Sequence, residues 1–204
     1  TLATGLGIKI IVEGKIRTPE FESLCSKIEP DLMIVVDYGK IIPPNLINIP
    51  RLKAINIHPS LLPAYRGATP IQSCLMNGDS RTGVTIQTLA AEVDAGDILL
   101  QESMDIHPED DYGTLEMRLK DLAVKMMEKL MRNPSRPGTL QESSSVTHSS
   151  KIGKEMLRID WNKPAMEINN LIRALHPPQP GMRSTFRGKL IKFLKATVKD
   201  GLGE

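Results

Sequence analysis

Short continuous apolar runs alternate along this chain with stretches whose apolar residues recur at helical spacing. Ile8-Lys9-Ile10-Ile11-Val12 is such a run and predicts a strand. Thr18-Pro19 then offers a capping hydroxyl and a first-turn proline, Phe21, Leu24, Cys25 and Ile28 share one helical face, and Glu29-Pro30 ends the helix. Asp31 to Tyr38 reads as a strand buried on both faces, broken by Gly39. Strand, helix and strand in that order predict a right-handed parallel crossover, and Leu52 to Ile57 adds the next parallel strand.

Ala68 to Met76 predicts a helix with Ile71, Leu75 and Met76 facing inward, followed by turn residues Asn77-Gly78-Asp79. Strands are expected over Thr82 to Leu89 and Asp97 to Ile106, joined through the acidic turn Val93-Asp94-Ala95-Gly96-Asp97. From Thr114 to Met131, Leu115, Leu119, Leu122, Met126 and Leu130 paint one stripe, which reads as core packing.

Asn133 to Ser150 is rich in Pro, Gly and Ser and has no apolar period, so residues 134–150 read as a linker between a unit at 1–133 and a second at 151–204. Beyond it, Pro164 opens a helix carrying Ile168, Leu171, Ile172 and Leu175. Pro177-Pro178-Gln179-Pro180-Gly181 then turns the chain into strands at Arg183–Phe186 and Lys189–Thr197. No internal repeat is visible.

Composition narrows the class. With 204 residues the chain can bury a core, and two cysteines without paired spacing (Cys25, Cys74) argue against a disulfide framework or a zinc site. The histidines His58, His107, His148 and His176 form no ligand motif, so no metal is expected. No apolar run approaches the roughly 20 residues that span a bilayer, and no signal peptide is visible in a chain that starts at Thr1. The net charge of +2 hides a polarity. Of 26 basic and 24 acidic residues, 11 and 5 fall in 151–204, leaving 15 and 19 in the rest. A basic tail on an acidic head suits an anionic partner, or is an ordinary solvated face.

Candidate chemistry concentrates where the strand ending at Ile57 runs into Asn56-Ile57-His58-Pro59-Ser60-Leu61-Leu62-Pro63-Ala64-Tyr65-Arg66-Gly67. Alternation puts Asn56 and His58 on one face, at the strand end where ligands of open α/β sheets bind. An amide donor and an imidazole there can stabilise an oxyanion and manage a proton; the alternative is an incidental polar pair at a turn.

The run Asn-Ile-His-Pro-Ser-Leu-Leu-Pro-x-x-Arg-Gly resembles the signature of the folate-dependent formyltransferases. Asp94, in its acidic turn downstream, matches the family's third polar residue. The resemblance covers roughly Asp31 to Thr197 and implies an α/β fold, a Rossmann-like parallel-sheet formyltransferase domain. It also implies 10-formyltetrahydrofolate as co-substrate and Asn56, His58 and Asp94 as catalytic residues. Asn56 and His58 would stabilise the tetrahedral oxyanion, and Asp94 would hold the imidazole in its working tautomer. Read on its own, Asp94 is a turn-forming residue before Ala95-Gly96. Ser60, Leu61, Leu62 and Pro63 would form a folate wall or a stiff packed loop, with Tyr38 and Gly39 lining the pterin side. Arg66 would reach a phosphate or carboxylate, or pair with a nearby acid.

Ile159-Asp160-Trp161, the helix after it and the basic strand resemble the start of the small β-barrel (OB-like) domain in the tRNA-acting branch of the family. That implies initiator methionyl-tRNA as acceptor, a protein of translation initiation in bacterial cytoplasm or a mitochondrial matrix, and a monomer when complete. Formyl transfer to an amino sugar nucleotide, hydrolysis of the formyl donor, or an inactive folate- or RNA-binding remnant are the alternatives. The family's opening strand and Gly-Thr-Pro-Asp-Phe-like loop have no counterpart here, and the second domain stops at Glu204, so the chain reads as incomplete at both ends.

Overall fold

A computed structural model describes residues 2–12 and 14–199. After a short helix α1 (Leu2–Gly5), the elements are α2 (Pro19–Ile28), β1 (Leu32–Val36), α3 (Pro44–Ile47), β2 (Lys53–His58), β3 (Arg66–Gly67), α4 (Pro70–Asn77) and β4 (Arg81–Thr88). Next come β5 (Ile98–Asp105), α5 (Tyr112–Met131), β6 (His148–Ser149), α6 (Ala165–Ala174), β7 (Met182–Phe186) and β8 (Lys189–Phe193). Helix starts follow local chemistry. Thr18 caps α2 by accepting from the Phe21 amide, and Asp111 and Thr114 close a reciprocal capping box on α5.

The main sheet has the order β1-β2-β4-β5, with β1 and β2 parallel as expected and the β2–β4 and β4–β5 pairs antiparallel. Register sorts its two faces. Ile55, Ile57, Val84, Ile86 and Leu100 share one face, because Ile57 pairs with Ile86 and Ile86 with Leu100. The buried stripe Leu115, Leu119, Met126 and Leu130 of α5 joins this face in one core, together with Ile71, Cys74 and Leu75 of α4. The opposite face is polar. Asn56 pairs with Gln87, His58 with Thr85, and Thr85 with Gln101, and these side chains carry the functional candidates.

The second unit has its own cluster of Leu157, Ile159, Ile168, Ile172, Leu175 and Met182. Met76 of α4 packs against both clusters, so α4 is the wedge that joins the units. The hairpin β7–β8 turns through Arg187 (φ 47) and Gly188 (φ 74), two left-handed positions that match the twist of an antiparallel ribbon. Trp161 packs edge-on against Phe193 with centroids 5.5 Å apart, and its indole N–H donates to Ser184. This antiparallel pair fits the expected start of a small barrel.

Three expectations need correction. Ile8 to Val12 forms no strand, so the crossover expected from it does not form either; Ile8, Ile10, Ile11 and Val12 are exposed. A strand exists only through a partner's ladder of hydrogen bonds, and this run pairs with none of the described strands. Second, β1 is not buried on both faces. It is an edge strand, and its Ile34 and Val36 are 46% and 59% exposed. Third, the strand expected over Lys189–Thr197 stops at Phe193, where pairing with Met182 ends.

The segment 134–150 passes the edge of β5 and reaches the polar face of the sheet at Gln141. Thr139 exchanges both backbone hydrogen bonds with Ile98, at 2.8 and 2.9 Å. Further on, β6 pairs with β3, and the Arg66 amide donates to the Thr147 carbonyl at 2.9 Å.

Candidate active site

Three chain segments meet at the polar face of β2. Asn56 and His58 come from the strand itself, Asp94 from the β4–β5 turn, and Tyr65 to Gly67 from the loop after β2. The Asp94 carboxylate is the hub. Its Oδ1 accepts from Asn56 Nδ2 at 3.2 Å and from Gln87 Nε2 at 2.9 Å. Its Oδ2 accepts from the Gly67 amide at 2.9 Å and lies 3.6 Å from His58 Nδ1. The structure therefore brings together Asp94, which the resemblance pointed to, and the pair Asn56 and His58, which strand alternation put on one face.

The imidazole is more constrained than that pattern suggested. His58 is buried, and its Nε2 lies 2.9 Å from the Tyr65 carbonyl. A carbonyl only accepts, so Nε2 carries a proton and donates. That leaves Nδ1, beside Asp94, as the nitrogen free to exchange a proton. Asn56 has two amide protons, of which the Asp94 contact uses one.

Tyr65 is itself held tightly. It sits at φ 60, its amide donates to Thr147 Oγ1 at 2.8 Å, and its hydroxyl donates to Asp79 Oδ2 at 2.6 Å while accepting from Asn77. Burial first, and then the hydrogen bond to Asp79, push the phenol up from 10.0 to about 12. The folded chain thus keeps a proton that the unfolded chain releases near pH 10. The resulting stability is complete below pH 10 and disappears as pH rises through about 12. Tyr65→Phe, although less stable at neutral pH, loses less stability over that interval than the parent; urea midpoints across the range check this, and parallel curves contradict it.

The loop Ser60–Pro63 lies on the polar face and spends much of its hydrogen bonding on the side chains of β4 and β5 beneath it. Thr85 Oγ1 donates to the Ser60 carbonyl and accepts from the Leu62 amide, Gln101 donates to the Leu62 carbonyl, and Ser60 Oγ donates to the Ala64 carbonyl. Leu61 presses on Gly83, where any Cβ would also strike the Glu102 carbonyl. Ser60 and Leu62 are buried, and Leu61 and Pro63 keep partial exposure. Tyr38 and Gly39 follow β1 at the same end of the sheet, since Val36 pairs with Ile57.

Arg66 is buried, and its guanidinium meets Glu92 at 3.0 Å and Gln141 at 2.8 and 3.1 Å. Of the readings open for it, the structure has the pairing with an acid. Gln87, Gln141, Thr85 and Gln101 belong to the site and were not singled out from sequence. Gln87 had a signal, a polar residue inside an apolar strand; Gln141 had none. Among the described residues, no group of three or more His, Cys, Asp or Glu is placed to hold a metal. The grooves of about 450 Å³ along Arg17–Glu22 and about 420 Å³ beside Asp110 and Arg173 do not contain Asn56, His58 or Asp94.

Residues 12–131 match the family described as Formyl transferase, and residues 151–204 match its C-terminal domain. This chain belongs to the formyl transferase family. The formyl transferase match spans every element from α2 to α5, and thus all of the Asn56–His58–Asp94 constellation. A methionyl-tRNA formyltransferase of Pseudomonas entomophila is 40% identical over 205 residues, covering 99% of this chain and 66% of the relative. The chain therefore spans about two thirds of that relative's length.

Solved structures share the fold of this formyl transferase. Methionyl-tRNA formyltransferase from Clostridium thermocellum superposes with a TM-score of 0.76 at 21% identity, covering 96% of this chain and 83% of that one. A sugar N-formyltransferase from Shewanella gives 0.76 at 19%, covering 97% and 81%. HypX from Aquifex aeolicus, solved with tetrahydrofolic acid, gives 0.71 at 22%, covering 85% and 30%. No described helix is long and apolar enough to cross a membrane.

Proposed function

We propose that this chain carries the reaction centre of a methionyl-tRNA formyltransferase, which moves a formyl group from 10-formyltetrahydrofolate to the amino group of methionine on initiator tRNA. The observation that carries the reading is the convergence of Asn56, His58 and the Asp94 carboxylate on one point. The methionine nitrogen attacks the formyl carbon, and the carbonyl electron pair moves onto oxygen. The second N–H of Asn56 donates to that oxyanion. The amine proton leaves by way of His58 Nδ1 and Asp94, the bond from carbon to folate N10 breaks, and N10 takes up a proton. Leu61 and Pro63, with Tyr38 and Gly39, form the wall for the folate ring. The protein works without a metal, as a monomer in bacterial cytoplasm.

The choice of acceptor rests on the named relative and on the second unit. Arg183 and Lys192 lie directly opposite each other on β7–β8, a like-charge pair that a hairpin tolerates at a cost. Arg187, Lys189 and Lys195 are further exposed cations of this segment, and the group suits tRNA phosphates. Replacing both Arg183 and Lys192 by alanine weakens binding of initiator tRNA and flattens the slope of log affinity against log salt by about 1 to 2. An unchanged slope removes the pair from the tRNA site. The acceptor is tested by offering charged initiator tRNA and an amino sugar nucleotide in competition: formylation of the tRNA supports the reading, and preferential formylation of the sugar overturns it.

A further inference from the structure

We infer that Gln141 is a positioning residue for formyl transfer, fixing the loop that carries Asp94 from the segment leading to the second unit. This rests on the reading of Asn56, His58 and Asp94 given above.

Asp94 sits at φ 53, a left-handed conformation uncommon outside glycine and best tolerated by asparagine and aspartate. The loop gives itself little support. Its base is closed by Thr88 and Asp97, and Gly96 lies so close to the Thr88 carbonyl that a Cβ there would collide. Above that base, the Ala95 amide makes only a long 3.4 Å contact to the Glu92 carbonyl.

Gln141 supplies the missing support. Its Nε2 lies 2.8 Å from both the Asp94 and the Gly96 carbonyls, and 3.1 Å from Gln87 Oε1. Its Oε1 accepts from Arg66 Nε and Nη2. The amide orientation is thereby fixed, because a guanidinium only donates and a carbonyl only accepts. The same logic orients Gln87, whose Oε1 accepts from Gln141 and whose Nε2 donates to Asp94 Oδ1. With two protons for three acceptors, Nε2 shares one of them, and Gln141 holds Asp94 at its backbone carbonyl directly and steadies its carboxylate through Gln87.

The residue type follows from this. Glutamate would keep one oxygen on Arg66 and set the other, an acceptor, against the Asp94 and Gly96 carbonyls; asparagine is a methylene short, and methionine forms no comparable hydrogen bond. The bridge between Thr139 and Ile98 anchors the chain two residues earlier, so the side chain reaches the loop from a fixed backbone. Residues 134–150, whose composition reads as a spacer, thus contribute a working part of the centre.

The test compares Gln141→Met and Gln141→Glu with Glu142→Gln, a neighbour exposed to solvent. Both Gln141 variants lower kcat by about 10- to 100-fold with KM for the formyl donor nearly unchanged, as expected for misplaced catalytic groups. Glu142→Gln keeps the parental rate. Introduced into Asp94→Asn, Gln141→Met costs less than about threefold more, because its effect passes through Asp94. If Gln141→Met does not fold, Gln141→Glu, which retains the Arg66 contact, decides alone. Parental kcat in the Gln141 variants, or a full further loss in the Asp94→Asn background, overturns the inference. A slow Asp94→Asn enzyme with fast Gln141 variants refutes the inference only, whereas a fast Asp94→Asn enzyme refutes the reading of the site on which it rests.

Discussion

Asn56→Ala, His58→Ala and Asp94→Asn each lower kcat by about 10²- to 10³-fold while KM for the formyl donor moves little. In the proposed reaction the charge that these groups meet exists only in the tetrahedral intermediate, so their loss raises the barrier without loosening the ground state. Removing one preorganised oxyanion donor typically costs about 2.7–4 kcal/mol, which sets the scale for Asn56. For Asp94 the asparagine variant is the informative one. It keeps the shape of the side chain but puts an amide N–H where a carboxylate accepted from Asn56, Gln87 and Gly67. Alanine would strand all three donors and mix a folding defect into the kinetics. Initial rates against donor concentration decide the matter, and parental kcat in any of the three removes that residue from the mechanism.

Leu75→Ala destabilises the chain by about 2–5 kcal/mol, against the ~5–15 kcal/mol that holds a typical domain. Leu75 is fully buried on α4, and its neighbour Met76 reaches both apolar clusters. A cavity at this wedge loosens the main sheet and the second unit together. Urea unfolding followed by Trp161 fluorescence reports on the second unit, and far-ultraviolet circular dichroism reports on both. The two signals move to lower denaturant in step. A loss below about 1 kcal/mol, or a shift in one signal alone, contradicts the coupling. Met117→Ala on the exposed side of α5 stays within about 0.5 kcal/mol of the parent.

What could be read from sequence was local. The α5 stripe, the Thr18 cap and the strand ending at Asn-x-His depend on neighbours within a few positions, and they stand where the pattern put them. The pairing of Asn56 with His58 was legible because alternation along a strand is fixed by backbone geometry. The exposure of Ile34 and Val36 was not, because an apolar run does not reveal whether a neighbouring layer exists to cover it. Ile8 to Val12 failed as a strand for a related reason: β structure is a property of pairs. Gln141 was invisible because its partners, Arg66, Gln87 and Asp94, are brought to it only by the tertiary path of a segment whose composition suggests slack. The Tyr65 carbonyl, which fixes the tautomer of His58, was hidden in the same way, since a backbone group leaves no mark in a side-chain pattern.

The central claim is that Asn56, His58 and Asp94 transfer a formyl group to the methionine nitrogen. The measurement that bears on it most directly is a single turnover with the formyl carbon of 10-formyltetrahydrofolate labelled, methionyl initiator tRNA in the same mixture, and the label traced after quenching. The account predicts label in N-formylmethionine on the tRNA, formed at least about 10²-fold more slowly by the Asp94→Asn protein. Label released as formate, or formylation at the same rate by Asp94→Asn, would contradict it.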